Sequence, residues 1–586
     1  MVSATPLPAG PDRGAGALLG AAVGDALGWP QEDRSKIVGG NAARHIEPAP
    51  IFRDWVRHGG TRFAGYLDPV QAGQYSDDTQ LTLSVARACL RGPDWWTWLT
   101  TVELPQWPLY ERGGGGAVLR AARAWARGRA PWLGDTQKDA SAAARYFHAG
   151  GNGVAMRIAP HAILAATQPL SWEELAMRVL RDGLSTHGHP HALVGAVLHA
   201  SALARALRKR DTLEYGEMLE WLIEDRAWTS PAMMMEAADT QWHEAYRRHG
   251  RDLPDHPQRG WEEVADQTLQ ALRLARSALD RGTLANDQGT LEAIGCFDQR
   301  RAGAGTVAAL AALYVASRSA SRPISGLLRT AFLHGSDTDT LASMTSSLLG
   351  AVQGTTWLGD LGHQVQDSHY LEELAWRLTR SESEPPASPP VPPVTESSLR
   401  TWTKHLHDRA VDQLPDGRRC HLEDSLSLEP KSNSTITRSV LRAEDGQTLL
   451  IDKVSRPNPS PGPAKPDHGQ LSVGLDRAAH GAALVNVEIR VLDLAATERF
   501  YEHALGLSVE RQQGKLLLGT GVQFSQISTP SAGSPTRGLV LAITHPDPPA
   551  LAAKVRSGNV QTAWSSDEKT LWLKDPDGNT IRVTGQ

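Results

Sequence analysis

Two short acidic segments, Ser76-Asp77-Asp78-Thr79 and Ser336-Asp337-Thr338-Asp339-Thr340, carry the densest chemistry in the chain. Asp77 and Asp337 lie 260 residues apart, so only folding can bring the segments together. Each sets carboxylates beside hydroxyls just ahead of an apolar, Ala/Leu-rich stretch. Clusters made of oxygen alone suit hard cations such as Mg2+ or Mn2+. Four carboxylates meeting at one point repel one another unless cations neutralise them. A site for two metal ions is therefore the first reading. The plain alternative is that each segment only caps a helix, because Ser, Thr and Asp are the preferred capping residues.

Other residues could work beside such a site. Glu32 follows the Gly- and Pro-bearing turn Gly28-Trp29-Pro30-Gln31, which predicts a loop position and makes it the candidate acid or base. Glu111, ahead of Gly113-Gly114-Gly115-Gly116, is a second candidate for that role. A glycine run such as that one, with Gly115 and Gly116, leaves backbone N–H groups free to approach phosphate; a simple flexible loop explains it equally well. Gly150-Gly151-Asn152-Gly153 precedes a predicted helix that carries Met156 and Arg157. His187, His189 and His191 invite a zinc reading, but Pro190 interrupts them and no Cys is near, so zinc is disfavoured and structural histidines remain the alternative.

The elements that must position these residues are mostly helical. Ala, Leu and Arg recur at helical spacing in 81–91, 117–127, 192–207, 264–280, 306–318 and 340–353, and strand-like alternation is scarce as far as residue 380. An all-α domain over 14–380 is the expectation. Residues 14–29 are small and apolar but include Asp25, which predicts a closely packed buried helix rather than a membrane span. The Pro/Ser-rich stretch 381–398 reads as a linker, 399–456 as a small segment with a helix near 399–413 and strands at 434–442 and 447–453, and 457–482 as a second linker. From 483 the pattern becomes strand, helix, strands, twice over, which predicts two paired βαβββ units in a smaller α+β domain.

With 586 residues, 40% hydrophobic and 21% charged, the chain reads as a multidomain globular protein. A net charge of −5 gives no basic field for a nucleic-acid or membrane surface. Cys89, Cys296 and Cys420 form no CxxC pair, and Met1–Arg13 has no signal-peptide pattern, so a cytoplasmic protein is expected.

Taken in order, Gly24-Asp25-Ala26-Leu27-Gly28-Trp29-Pro30-Gln31-Glu32, Tyr75-Ser76-Asp77-Asp78-Thr79-Gln80-Leu81, Gly150 to Arg157, Thr186-His187-Gly188-His189-Pro190 and Gly335 to Thr340 resemble the ADP-ribosylglycohydrolase family, which includes the dinitrogenase reductase-activating glycohydrolases. The resemblance covers roughly residues 14–380. It implies an all-α fold with two Mg2+ or Mn2+ ions at the base of a cleft, ligated by Ser76, Asp77, Asp78, Asp337, Asp339 and Thr340. Family members often carry Thr at the position of Ser76, and either hydroxyl offers one oxygen. The resemblance also places Gly151, Asn152, Gly153, Met156 and Arg157 along an ADP-ribose pocket, with His187, Gly335 and Ser336 close to the substrate. The activity it implies is hydrolysis of the bond between the distal ribose of ADP-ribose and an acceptor on a protein, a nucleic acid or a small molecule. Two other readings stay open: a non-catalytic ADP-ribose reader, and a hydrolase of free derivatives such as O-acyl-ADP-ribose.

Residues 483–586 resemble the glyoxalase/bleomycin-resistance (vicinal oxygen chelate) superfamily through Val491-Leu492-Asp493-Leu494, Phe500-Tyr501, Leu505-Gly506-Leu507 and Asp575-Pro576-Asp577-Gly578-Asn579. Metal-dependent members usually carry His in the first strand and Glu after the last turn. Alignment on the motifs puts Asn486 and Arg582 there, and Arg has no lone pair to offer a metal. No metal is expected in this domain; binding of a small molecule or a partner, or packing on the first domain, is.

Overall fold

The first helix, Pro11–Gly28, has glycine at every fourth position from Gly16 through Gly20 and Gly24 to Gly28. That spacing gathers them into one stripe. Against the stripe runs the helix Thr338–Gln353, the most extensive packing partner of the first helix. A Cβ at Gly16, Gly20, Gly24 or Gly28 would collide with the carbonyl oxygens of Gly354, Ser346, Ala342 and Thr338 in turn. Backbone meets backbone here, and no other residue type fits. At the end of the stripe the Thr338 hydroxyl donates to the Gly28 carbonyl at 2.9 Å.

The computed structural model describes residues 10–455 apart from 62–63, 135, 169, 212, 283–286, 381, 383–389, 408–410 and 432–433. Beyond 455 it describes 487–491, 493–504, 509–512, 515–518, 522–526, 540–545, 549, 551, 562–564, 570–574 and 580–585. The chain divides into two compact units, Met1–Gly462 and Pro463–Gln586.

In the first unit every helical segment read from the sequence is a helix: Asp77–Cys89, Gly116–Ala126, Pro190–Arg208, Pro257–Asp280, Gly305–Ser319 and Thr338–Gln353. Gly305–Ser319 packs against both Pro190–Arg208 and Thr338–Gln353, and Ser368–Thr379 packs on the first helix. The innermost helices are buried nearly all round, so their sequences are apolar on every side.

Two features escape the helical pattern. Strands β1 (Trp55–Thr61) and β2 (Ala64–Val70) form an antiparallel hairpin with Trp55 opposite Val70. Strands β3 (Cys420–Leu428), β4 (Thr435–Ala443) and β5 (Thr448–Ser455) form an antiparallel sheet in that order, preceded by the helix Glu396–His407. This sheet is built into the helical unit. The Leu67 N–H donates to the Glu429 carbonyl at 2.9 Å, and the Lys431 N–H to the Gly65 carbonyl at 2.8 Å. Beneath those bonds the buried carboxylate of Asp68 receives Arg112 and Arg438, each at 2.8 Å, while Arg438 also holds Asp452 at 2.7 Å. β3 was not readable in advance because most of its residues are exposed and polar.

The second unit has two four-stranded sheets. One runs β6 (Val487–Val491), β9 (Val522–Gln526), β8 (Lys515–Leu518), β7 (Val509–Gln512); the other runs β10 (Val540–His545), β13 (Thr580–Gly585), β12 (Thr570–Lys574), β11 (Thr562–Trp564). In each, the first strand pairs in parallel with the last and the rest are antiparallel. This is the paired βαβββ arrangement. Asn486, Leu505-Gly506-Leu507, the turn 575–579 and most of the second helix expected at 548–556 lie outside the described residues. Among the described residues no helix is long and apolar enough to cross a membrane.

Replacing Gly24 by Ala forces a methyl into the Ala342 carbonyl. Overpacking of this kind costs about 1–3 kcal/mol. Denaturant unfolding of Gly24→Ala is expected to show a lower midpoint by that amount, whereas Gly10→Ala, with open space around it and an ordinary negative φ, is expected to change little.

Candidate active site

The first helix serves the site twice. Its Asp25, wholly buried, accepts from the Ser76 N–H at 3.1 Å, the Thr79 N–H at 3.0 Å and the Thr79 hydroxyl at 2.6 Å. A carboxylate from another helix thus seats the start of Asp77–Cys89, where the peptide dipole favours negative charge. Ser76 is the local cap, its hydroxyl accepting from the Asp78 N–H at 3.4 Å. Just past the first helix the chain turns at Trp29–Gln31 and delivers Glu32, 6% exposed.

Glu32, Asp337 and Asp339 converge, each offering a carboxylate oxygen within 4.8 Å of the others. Among the described residues this is the one group of three or more such side chains spaced to hold a metal ion. Asp78 faces Asp337 and the Thr340 hydroxyl, and Asp77 faces Glu32 and Glu111. The two acidic segments therefore meet, with Glu32 between them.

The electrostatics of this cluster are unfavourable without a cation. Burial, with Asp337 alongside, pushes Glu32 up to about 7 against the pull of Arg34. Burial followed by the neighbouring carboxylates drives Asp77, Asp78 and Asp339 well above the ordinary range. Oδ2 of Asp78 is sealed from solvent and has no hydrogen-bond partner among the described residues. An orphaned carboxylate oxygen within an all-oxygen donor set fits a hard divalent cation.

Arg34 supplies some of the missing positive charge. Its Nε donates to Glu32 at 2.6 Å and its Nη2 to Asp337 at 2.7 Å, although its own side chain is 67% exposed. Asn152 donates to the same Asp337 oxygen at 3.1 Å, and its backbone N–H is fixed on the Gly303 carbonyl at 2.9 Å.

Outward from the cluster opens a cleft of about 640 Å³. Glu32, Arg34, Asp337, Gly335 and Ser336 form one side, and Gly150 with Gly151 another. The rest of the lining includes His148, His189, His191, Gln299, Arg300 and Arg301; burial lowers His189 to about 4 and lowers His191 as well, so the two arginines carry the positive charge there. Other expected site residues sit elsewhere. Arg157 is wholly buried and bound to Asp182 at 2.7 Å, and Met156 is buried beneath the Gly-Asn-Gly turn. His187 is buried between Thr186, at 2.8 Å, and Gly153, whose Cβ would approach the ring to 3.1 Å. Burial with Arg157 nearby lowers His187 to about 3, so its imidazole is neutral. Gly113 stands against Asp77 and Trp29, while Gly115 and Gly116 start the Gly116–Ala126 helix and do not line the cleft. Sequence reading missed the roles of Asp25, Arg34, Arg300 and Arg301. Only Arg34 carries a local signal, two residues after Glu32.

The family model for ADP-ribosylglycohydrolase matches residues 7–387. No curated protein matches the chain. Among solved structures, a chain of an ADP-ribosylglycohydrolase-related protein complex is similar at 24% identity, covering 64% of this chain and 98% of that one, with a TM-score of 0.38. TnmS3, an antibiotic binding protein from Streptomyces sp. CB03234, is similar at 18% identity, covering 18% of this chain and 98% of its own, TM-score 0.15. The trypanothione-dependent glyoxalase I of Leishmania major is similar at 21% identity, covering 18% and 87%, TM-score 0.14.

Because the Arg34 guanidinium competes with a cation for Asp337, Arg34→Ala is expected to bind Mn2+ more tightly, by about 2–5-fold for an exposed pair. Isothermal titration of the variant and parent measures this; weaker binding would show instead that Arg34 supports the metal ligands.

Proposed function

The chain belongs to the ADP-ribosylglycohydrolase family, and from that premise we propose that its acidic cleft hydrolyses the glycosidic bond between the distal ribose of ADP-ribose and an acceptor, with a pair of Mg2+ or Mn2+ ions. The family points to hydrolysis of ADP-ribose linkages by a metal-dependent enzyme; the bond, the metal pair and the residue roles are our reading. The observation that carries it is the convergence of Glu32, Asp337 and Asp339 within 4.8 Å, beside the orphaned oxygen of Asp78.

In this reading Asp77, Asp78, Asp337 and Asp339, with the hydroxyls of Ser76 and Thr340, hold the cations. Bound there, the cations would supply Lewis-acid stabilisation and acidify a water. Glu32, raised toward neutral pH by burial and by Asp337, takes a proton from the attacking water or orients the ribose 2′-hydroxyl. Such cleavage passes through an oxocarbenium-like state, which the surrounding carboxylates favour. Asn152 keeps Asp337 in place. Gly150 and Gly151 allow the substrate close to the backbone, and Arg300 and Arg301 pair with its diphosphate. The acceptor is a protein, nucleic-acid or small-molecule group. The second unit is read as a module that binds a small molecule or a partner, since Arg582 on β13 stands where a metal-ligating Glu would be needed.

Asp337→Ala is expected to lose Mn2+ affinity and turnover by roughly 100-fold or more while keeping its circular dichroism. Wild-type turnover in that variant would rule out the metal pair. Glu32→Gln is expected to keep ADP-ribose binding and lose roughly 100-fold or more in kcat. The double change Arg300→Ala, Arg301→Ala is expected to raise KM about tenfold at little cost to kcat. Arg-linked, Ser-linked and nucleic-acid-linked ADP-ribose, each with Mg2+, Mn2+ or EDTA, provide the substrates; EDTA-sensitive release from one identifies the acceptor, and release from none contradicts the enzyme reading.

A further inference from the structure

The Asp77–Cys89 helix starts at the acidic cluster, and its last residue, about 18 Å away along the axis, belongs to a different constellation. The Cys89 sulfur lies 3.2 Å from Nδ1 of His161, and Nε2 of His161 lies 3.1 Å from Oδ2 of Asp182. The three side chains come from three helices, Asp77–Cys89, Ala159–Thr167 and Trp172–Leu184. Asp182 is held in place by Arg157, and the imidazole stands edge-on to Trp95 with ring centroids 5.0 Å apart. Both nitrogens of His161 are thus engaged, one by a thiol and one by a carboxylate. That is the order a thiol nucleophile needs: a base in reach and a third group that orients the base.

Cys89 also lines a cavity of about 290 Å³ with Trp95, Gln168, Arg178 and Glu382. Arg178 lies over the Trp95 ring at 4.8 Å, yet its Nε and Nη2 are sealed from solvent and have no hydrogen-bond partner among the described residues. A desolvated guanidinium with unused donors favours an anion. Burial raises the Cys89 thiol, but His161 and Arg178 outweigh it and hold the thiol below its ordinary value. Burial pushes Cys296 up to about 12, and burial with Asp416 pushes Cys420 up to about 11 against the pull of Arg418.

We propose that Cys89, His161 and Asp182 form a second reactive site, a nucleophilic thiol triad opening on the Arg178 cavity and taking small anionic carbon electrophiles. The Cys89 proton passes to Nδ1 of His161, and the resulting imidazolium is held at Nε2 by Asp182. The sulfur electron pair forms the bond to the electrophilic carbon, whose leaving group departs with its bonding electrons. With iodoacetate the products are S-carboxymethyl Cys89 and iodide. Arg178 faces the reagent's carboxylate, and Glu382, the acid lining the cavity, opposes it.

The test labels the full folded chain with iodoacetate and, separately, iodoacetamide at neutral pH, and follows each cysteine by peptide mass spectrometry. Cys89 is expected to react roughly tenfold or more faster than Cys296 and Cys420, and its ratio of iodoacetate to iodoacetamide rate is expected to exceed that of free cysteine. His161→Gln is expected to slow labelling of Cys89 by roughly tenfold or more. Arg178→Gln, which removes the guanidinium beside the Cys89 sulfur and over the Trp95 ring, is expected to keep the circular dichroism of the parent and return the reagent ratio to the free-cysteine value. Labelling of Cys89 no faster than Cys296, or a reagent ratio unmoved in Arg178→Gln, would reduce the triad to a core hydrogen bond and overturn the proposal.

Discussion

The close approach of the first helix to Thr338–Gln353 is the constraint on which the rest of the molecule depends. Glycines at every fourth position let the two backbones touch, and the register of that contact places Gly28 against Thr338. Glu32 follows Gly28 by one short turn, and Asp337 and Asp339 flank Thr338. The acid and the carboxylates of the second acidic segment are therefore brought together by a backbone contact. Asp25, on the same helix, holds the start of Asp77–Cys89 and so fixes the first segment as well. One helix sets the geometry of every candidate metal ligand.

That geometry concentrates buried negative charge. Glu32, Asp77, Asp78 and Asp339 are each displaced toward the protonated form by burial and by one another. Charge of this kind persists in a fold when a cation uses it, because apolar replacements would otherwise pack at less cost. The Arg34 bridge shows how the cluster relieves part of the repulsion with its own residues. Its mainly exposed position leaves it free to move aside.

Much of this was legible in the sequence, for physical reasons that also explain what was not. Helices buried on all sides announce themselves by composition, and the acidic segments by residue type, so 81–91, 340–353 and the carboxylates that the fold brings together were readable. The role of Asp25 was hidden because its partners lie more than fifty residues away. Arg300 and Arg301 belong to none of the sequence motifs, and only the fold puts them on the cleft wall. The sheet β3–β5 was read in part, from its two better buried strands. Its union with the hairpin β1–β2 was invisible, since the joining charges, Asp68, Arg112, Arg438 and Asp452, are scattered over four segments. Arg157 belongs to a motif that suggested the substrate pocket, yet its guanidinium is buried against Asp182.

The account rests on cations at the meeting point of the two acidic segments, and anomalous diffraction from crystals grown with Mn2+ tests that most directly. Two manganese peaks about 3.5–4 Å apart are expected, as in two-metal hydrolytic sites. They should be bounded by Asp77 and Asp78 on one side and Asp337 and Asp339 on the other, with Arg34 withdrawn from Asp337. An active protein whose crystals show no manganese between these carboxylates would contradict the account.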